Sequence, residues 1–207
     1  WYGQACFRIE SKDAKILIDP FSKSIGLKPP RINDDIVLVT HEHEDHNAIG
    51  EAPETAFIVK SPGEYEKTGV QIVGVQSFHD DVQGTERGYN TIYVLKTEDI
   101  TICHMGDIGQ KALTDEQVET IGNVDILFVP VGGVYTVNGS QAVGLVKQIE
   151  PKIIIPMHYK VPGLSIKLDG PESFVKELGL KAEEVETFRI NQKNLPQEEI
   201  KLIMFKL

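Results

Sequence analysis

Ile36-Val37-Leu38-Val39-Thr40-His41-Glu42-His43-Glu44-Asp45-His46 runs a stretch of aliphatic residues directly into three histidines. The aliphatic half is apolar at consecutive positions, as expected of a strand covered on both faces. If the chain stays extended through His43, alternation with period two puts His41 and His43 on one side. A turn at Glu44 then brings Asp45 and His46 round to a second point nearby. Two imidazoles serve one cation, and a carboxylate with an imidazole serves its neighbour, donors that borderline divalent metals accept readily. The whole chain has only 6 histidines in 207 residues, so this clustering points to metal binding rather than to a polar loop.

Outward from this stretch, short Ile- and Val-rich runs recur between Gly, Pro, Asn and Asp, the pattern of strands. Expected strands are 15–18, 36–40, 57–60, 70–75, 91–95, 100–104, 126–130, 153–156 and 200–205. Helices concentrate in the second half. Thr114-Asp115-Glu116-Gln117 matches a capping box. Ser140 is expected to cap a second helix bearing Val143, Val146 and Ile149, which Pro151 ends. Pro171 opens a third, Glu172–Leu178, with Gly179 as its stop. Glu183-Glu184-Val185-Glu186 reads as an exposed charged face. The fold class is therefore mixed α/β, in one domain over 1–207, with strands covered by helices.

The remaining chemistry-bearing residues sit where strands end. His79 follows an apolar run and enters a Gly-containing loop. Asp107, in His104-Met105-Gly106-Asp107, leaves another strand, and His158 in Pro156-Met157-His158-Tyr159 leaves a third. Any one alone reads as an ordinary half-buried polar residue. Together they match the strand exits at which open α/β sheets gather ligands. The net charge of −10 disfavours long nucleic acid, which needs a concentrated basic surface. No apolar run is long enough to span a bilayer, and no basic-apolar leader opens the sequence. Cys6 and Cys103 lie in apolar runs and are expected as buried free thiols in the cytoplasm.

The order of motifs resembles the metallo-β-lactamase superfamily, whose hallmark His-x-His-x-Asp-His stands at 41–46, followed by His79, Gly106-Asp107 and His158. Trp1-Tyr2-Gly3, Ile16-Leu17-Ile18-Asp19-Pro20 and Pro156-Met157-His158-Tyr159 are similar to a branch of small Zn-dependent hydrolases. That branch includes the ascorbate-6-phosphate lactonases and looks related to the N-acyl-phosphatidylethanolamine phospholipase D enzymes. The resemblance implies a four-layer αββα sandwich with two divalent metal ions at one edge, zinc foremost, with manganese, iron or nickel also accepted by such ligands. It implies His41, His43 and His79 on the first metal, Asp45, His46 and His158 on the second, and Asp107 bridging. Asp19 matches an early aspartate that orients ligand imidazoles. His104 belongs beside the ligands or in the pocket wall. Gln4 departs from the pattern, since many relatives carry His there.

The sequence lacks a Gly-x-Ser-x-Gly nucleophile elbow and a Walker-type phosphate loop, so the chemistry falls to the metals. The expected activity is hydrolysis of a small ester or lactone by a metal-activated hydroxide, with Asp45 and Asp107 as the catalytic carboxylates. Phosphodiester hydrolysis, and a metal-bearing binding or redox module without hydrolysis, are the alternatives. Arg87, Tyr135, Tyr159 and Lys160 are candidate substrate contacts. The glycines of Gly132-Gly133 read as a strand-to-helix turn rather than an anion cradle. The expected partner is a small-molecule substrate; oligomeric state is not written in the sequence.

Overall fold

The computed structural model describes residues 1–207. A small sheet holds β1 (Phe7–Glu10), β2 (Lys15–Ile18), β3 (Ile36–Leu38) and β4 (Phe57–Val59) in that order. β1 and β2 pair antiparallel, whereas β2, β3 and β4 run parallel. The large sheet has eight strands: β5 (Gly63–Lys67), β6 (Val70–Phe78), β7 (Tyr89–Thr97), β8 (Ile100–His104), β9 (Ile126–Pro130), β10 (Ile153–Met157), β11 (Ala182–Val185) and β12 (Lys201–Phe205). Their spatial order is β11-β12-β10-β9-β8-β7-β6-β5. β5 to β8 form an antiparallel meander, and β8, β9, β10, β12 and β11 are parallel.

Alternation along each strand builds the layers. Ile16, Ile18, Ile36 and Leu38 of the small sheet pack against Tyr93, Leu95, Ile102, Phe128 and Ile155 of the large one. Their neighbours Cys103, Leu127, Val129 and Ile154 turn the other way, onto α1 (Asp115–Ile121), α2 (Gly139–Ile149) and α3 (Glu172–Leu178). Leu17 faces outward to Cys6, Phe21 and Ile25. The mixed α/β sandwich of two packed sheets is therefore present, while the helical layer expected over the small sheet is reduced to a one-turn 3-10 helix, Lys23–Ile25, and flanking coil. No helix is long and apolar enough to cross a membrane.

Some expectations change in detail. Thr114 and Gln117 form the capping box of α1. α2, however, is capped by Asn138, with Gln141 completing a reciprocal box, while the Ser140 hydroxyl bonds to Glu177. Asn caps at least as well as Ser, and only Asn138 has Gln three positions later to return the bond. β3 stops at Leu38 rather than Thr40. β1, β5 and β11 were not anticipated, because strands exposed along much of their length carry no continuous apolar run. The acidic stretch at 183–184 is exposed as expected, on the edge strand β11.

This topology brings the exits of β3, β6, β8 and β10 to one rim. The two sheets are tied there by the Tyr93 hydroxyl, which donates to the Val39 carbonyl at 2.9 Å, two residues before His41. Tyr93 is fully buried. Tyr93→Phe is expected to lower unfolding free energy by about 1–3 kcal/mol, the cost of an orphaned buried acceptor; urea denaturation checks it, and an unchanged midpoint would refute the tie.

Candidate metal centre

Asp19 leaves β2 at φ 50 with only 1% of its surface exposed. A carboxylate so buried must be hydrogen-bonded. Its Oδ1 accepts from the Thr40 backbone N–H at 2.8 Å, and its Oδ2 from the Thr40 hydroxyl at 2.8 Å and His46 Nδ1 at 3.0 Å. The Thr40 hydroxyl, with its proton committed to Asp19, accepts in turn from His41 Nδ1 at 2.9 Å. Both imidazoles thus carry a proton on Nδ1, which leaves Nε2 as the atom that each can offer to a cation. The chain bends at Thr40–Glu42 instead of staying extended, and a turn over 44–46 is closed by His46 N–H to the His43 carbonyl at 3.0 Å. The rings converge all the same: the His41 and His43 centroids are 4.7 Å apart.

The large sheet supplies the other side. Asp107 Oδ2 lies 3.0 Å from His158 Nε2, 3.3 Å from His46 Nε2, 3.6 Å from His79 Nε2 and 4.0 Å from His41 Nε2. Donor atoms of His41, His43 and His79 lie within 4.8 Å of one another, as do those of Asp45, His46 and His158, and those of His41, His46 and Asp107. Of the ring nitrogens aimed at Asp107, His41 Nε2 and His46 Nε2 are buried with no hydrogen-bond partner. Each such nitrogen costs about 1–3 kcal/mol when unpaired, and a cation is the partner that the surrounding His and Asp side chains suit. The seven residues fit divalent metal ions.

The electrostatics agree. Burial holds His41 at about 2, reinforced by His46, and burial also lowers His79, so both are neutral imidazoles. Burial works against charge on His46 too, but Asp107 and Asp19 outweigh it and keep its pKa well above the ordinary value. Positive charge is therefore demanded between these carboxylates. Asp45, opposed by burial but set beside His46, is held at about 2, and the neighbouring His158 and His46 keep Asp107 well below the usual carboxylate range despite its burial.

Backbone turns aim these groups. Gly106 has φ 56, and a Cβ there would lie 2.2 Å from Asn90 Oδ1 and 2.8 Å from Thr40 Cβ, so only glycine lets the Asp107 turn close on β3. Asn90 Oδ1 accepts from Asp107 N–H at 2.9 Å, while its Nδ2 donates to the Met105 carbonyl at 2.9 Å and Ser77 Oγ at 2.7 Å. Sequence reasoning passed over Asn90; its one signal was a β-disfavoured residue at the head of the apolar run 91–95. Asp80 was also passed over. It accepts backbone N–H bonds from Val82, Gly84, Glu86 and Arg87, which outweigh desolvation and hold it at about 2. That carboxylate fixes the loop after His79.

His104 is fully buried and has both nitrogens engaged: Nε2 donates to the Ala5 carbonyl at 2.9 Å and Nδ1 accepts from Gly106 N–H at 3.2 Å. It has no lone pair left for a metal and braces the Asp107 turn. Arg87 lines the cleft beside His41 and His43 and stands 5.9 Å from the Tyr135 ring centroid. Tyr159 is not brought to the site: it is buried with its ring 5.3 Å from Trp1, and burial pushes its hydroxyl up to about 12. Lys160 is exposed and does not line the cleft. In the 133–137 turn the Gly133, Tyr135 and Thr136 N–H groups are spent on internal bonds, so it offers no anion cradle.

Fold and site together define a metallo-β-lactamase-type hydrolase centre. Residues 1–158 match the family described as the beta-lactamase superfamily domain, and the chain belongs to that superfamily as a metal-dependent hydrolase. A UPF0173 metal-dependent hydrolase from Thermococcus kodakarensis is 32% identical, the match covering 88% of this chain and 92% of that protein. A crystal structure from Thermotoga maritima, described as a Zn-dependent hydrolase of the metallo-β-lactamase superfamily, superposes with a TM-score of 0.79 at 34% identity, covering 99% of this chain and 96% of that one. CmlA, a diiron β-hydroxylase from Streptomyces venezuelae, shares the fold at 13% identity and a TM-score of 0.65, covering 99% of this chain and 52% of that one.

Asp19→Asn keeps the shape but turns an amide N–H toward His46 Nδ1, forcing the proton onto Nε2. Metal affinity is expected to fall about 10–100-fold, read by chelator competition. A cation held by His46 Nε2 would have to displace a proton from that imidazole, so apparent affinity should rise with pH. Competition titrations at pH 6 and 8, taken as about one pH unit either side of neutrality, read this; a flat dependence would count against the assignment of His46.

Proposed function

We propose that the chain is a dinuclear metal-dependent hydrolase of small esters or lactones, with zinc as the foremost cation. The observation that carries the reading is the convergence of four imidazoles on one oxygen of Asp107. His41, His43 and His79 would hold one cation, Asp45, His46 and His158 the other, and Asp107 would lie between them. When bound, such cations supply Lewis acidity and bring the pKa of a water near neutrality.

The protein's own contribution is orientation and charge. Asp19 and Thr40 lock two imidazole tautomers. Asp45, with a pKa of about 2, is ionised at neutral pH and too weak a base to keep a proton. It serves as a fixed acceptor that aims the attacking water. The adjoining cleft encloses about 400 Å³, a size for a small molecule, and its walls include His41, His43, Lys60, Arg87 and Tyr89. Lys60 is neutralised by Glu42 at 2.6 Å, whereas Arg87 meets only Glu86, at 3.7 Å. Arg87 is thus the cation available to an anionic substituent of the substrate. The turn holding Val134 at φ 59, a strained setting for a β-branched residue, sets the Tyr135 ring 5.9 Å from the Arg87 guanidinium. Cys6 and Cys103 are buried and unpaired, which rules them out as nucleophiles and fits the reducing cytoplasm.

Metal-stripped protein is expected to lose hydrolysis of a lactone and ester panel and to regain it with zinc. Faster turnover of bis-p-nitrophenyl phosphate than of every lactone and ester would move the assignment to phosphodiesters. Arg87→Ala should raise KM about tenfold for anion-bearing substrates, the worth of one charge-assisted contact, and leave neutral ones unchanged.

A further inference from the structure

We infer that Gln4 positions Asp45, and that the N-terminal turn carrying it sets the Asp45/His46/His158 metal position separately from the His41/His43/His79 position. The inference rests on the dinuclear reading above. Gln4 is fully buried and sits at φ 51 in a tight turn closed by Cys6 N–H to the Gly3 carbonyl at 3.0 Å. Its Nε2 donates to Asp45 Oδ2 at 3.3 Å. The opposite amide orientation would set a carbonyl oxygen against a carboxylate, two acceptors, so chemistry assigns the donor.

Asp45 needs such a partner. Among the members of its cluster it alone is partly exposed; His46 Nε2 approaches its carboxylate at 3.3 Å, and the one hydrogen bond that carboxylate accepts comes from Gln4. The same residue reaches a second member of that cluster through its backbone: the Gln4 carbonyl accepts from His158 N–H at 3.2 Å and from Trp1 Nε1 at 3.0 Å. No hydrogen bond joins residues 1–6 to His41, His43 or His79. Gln4 Oε1 is buried without a donor. A residue kept only to fill space in so dry a place would be apolar, since an unpaired amide oxygen there is a standing cost. The polar side chain is explained by the ligand that it holds.

Gln4→Met keeps length and volume but removes the donor, and Gln4→His restores a ring N–H. Cobalt(II) is titrated into the metal-free full chain and followed by its visible absorption, with chelator competition for affinities. In Gln4→Met the first equivalent should bind as in the wild type and the second about 10–100-fold more weakly. In Gln4→His the second equivalent should return to within a few-fold of wild type. Gln4→Asn, whose amide falls short of Asp45, should behave like Gln4→Met and carries the test if Gln4→Met does not fold. Unchanged affinities, equal weakening of both equivalents, or failure of the His variant to rescue would each overturn the inference. A wild type that takes up a single cobalt would overturn the dinuclear reading itself, and this inference with it.

Discussion

The buried carboxylate of Asp19 is the constraint on which the site depends. Placed out of water at a strand end, it must collect donors, and those within reach are the backbone and hydroxyl of Thr40 and the ring of His46. Meeting that demand welds the exit of β2 to the exit of β3 and bends the chain at Thr40. It also fixes which nitrogen of His41 and His46 carries a proton. The local fold and the chemistry of the ligands are two results of one electrostatic requirement.

The site is divided between the sheets. Asp19 and residues 41–46 come from the small sheet; His79, Asp107 and His158 come from the large one. Neither sheet holds a full set alone, so cations binding across them would act as a staple, and binding free energy would add to the stability of the closed sandwich. The small sheet has the thinner outer cover, and such a staple matters most there.

Much of this was legible in the sequence, and the residues show why. His41, His43, Asp45 and His46 announce themselves because ligand spacing is local. His79, Asp107 and His158 are readable as polar residues at the ends of apolar runs, and the resemblance to a known superfamily orders them. Asn90, Asp80 and the bond from Gln4 to Asp45 are different. Each acts through a contact made only after folding, with an ordinary polar residue whose burial no periodicity reveals. His104 was half readable: its place near the site follows from the motif, but its lack of a free lone pair depends on Ala5, 99 positions away. The bend at Thr40 was missed because strand patterning cannot see a buried carboxylate competing for the backbone.

The ends of the large sheet bear on the acidity of the chain. Eight strands left open would offer two ribbons of unpaired backbone for another molecule to extend. One end is β5, Gly-Glu-Tyr-Glu-Lys, and the other is β11, with Glu183 and Glu184 exposed. A second copy adding itself edge to edge would stack carboxylates against carboxylates across a spacing of about 5 Å. Part of the surplus of acidic residues therefore guards the sheet against polymerising through its own rims.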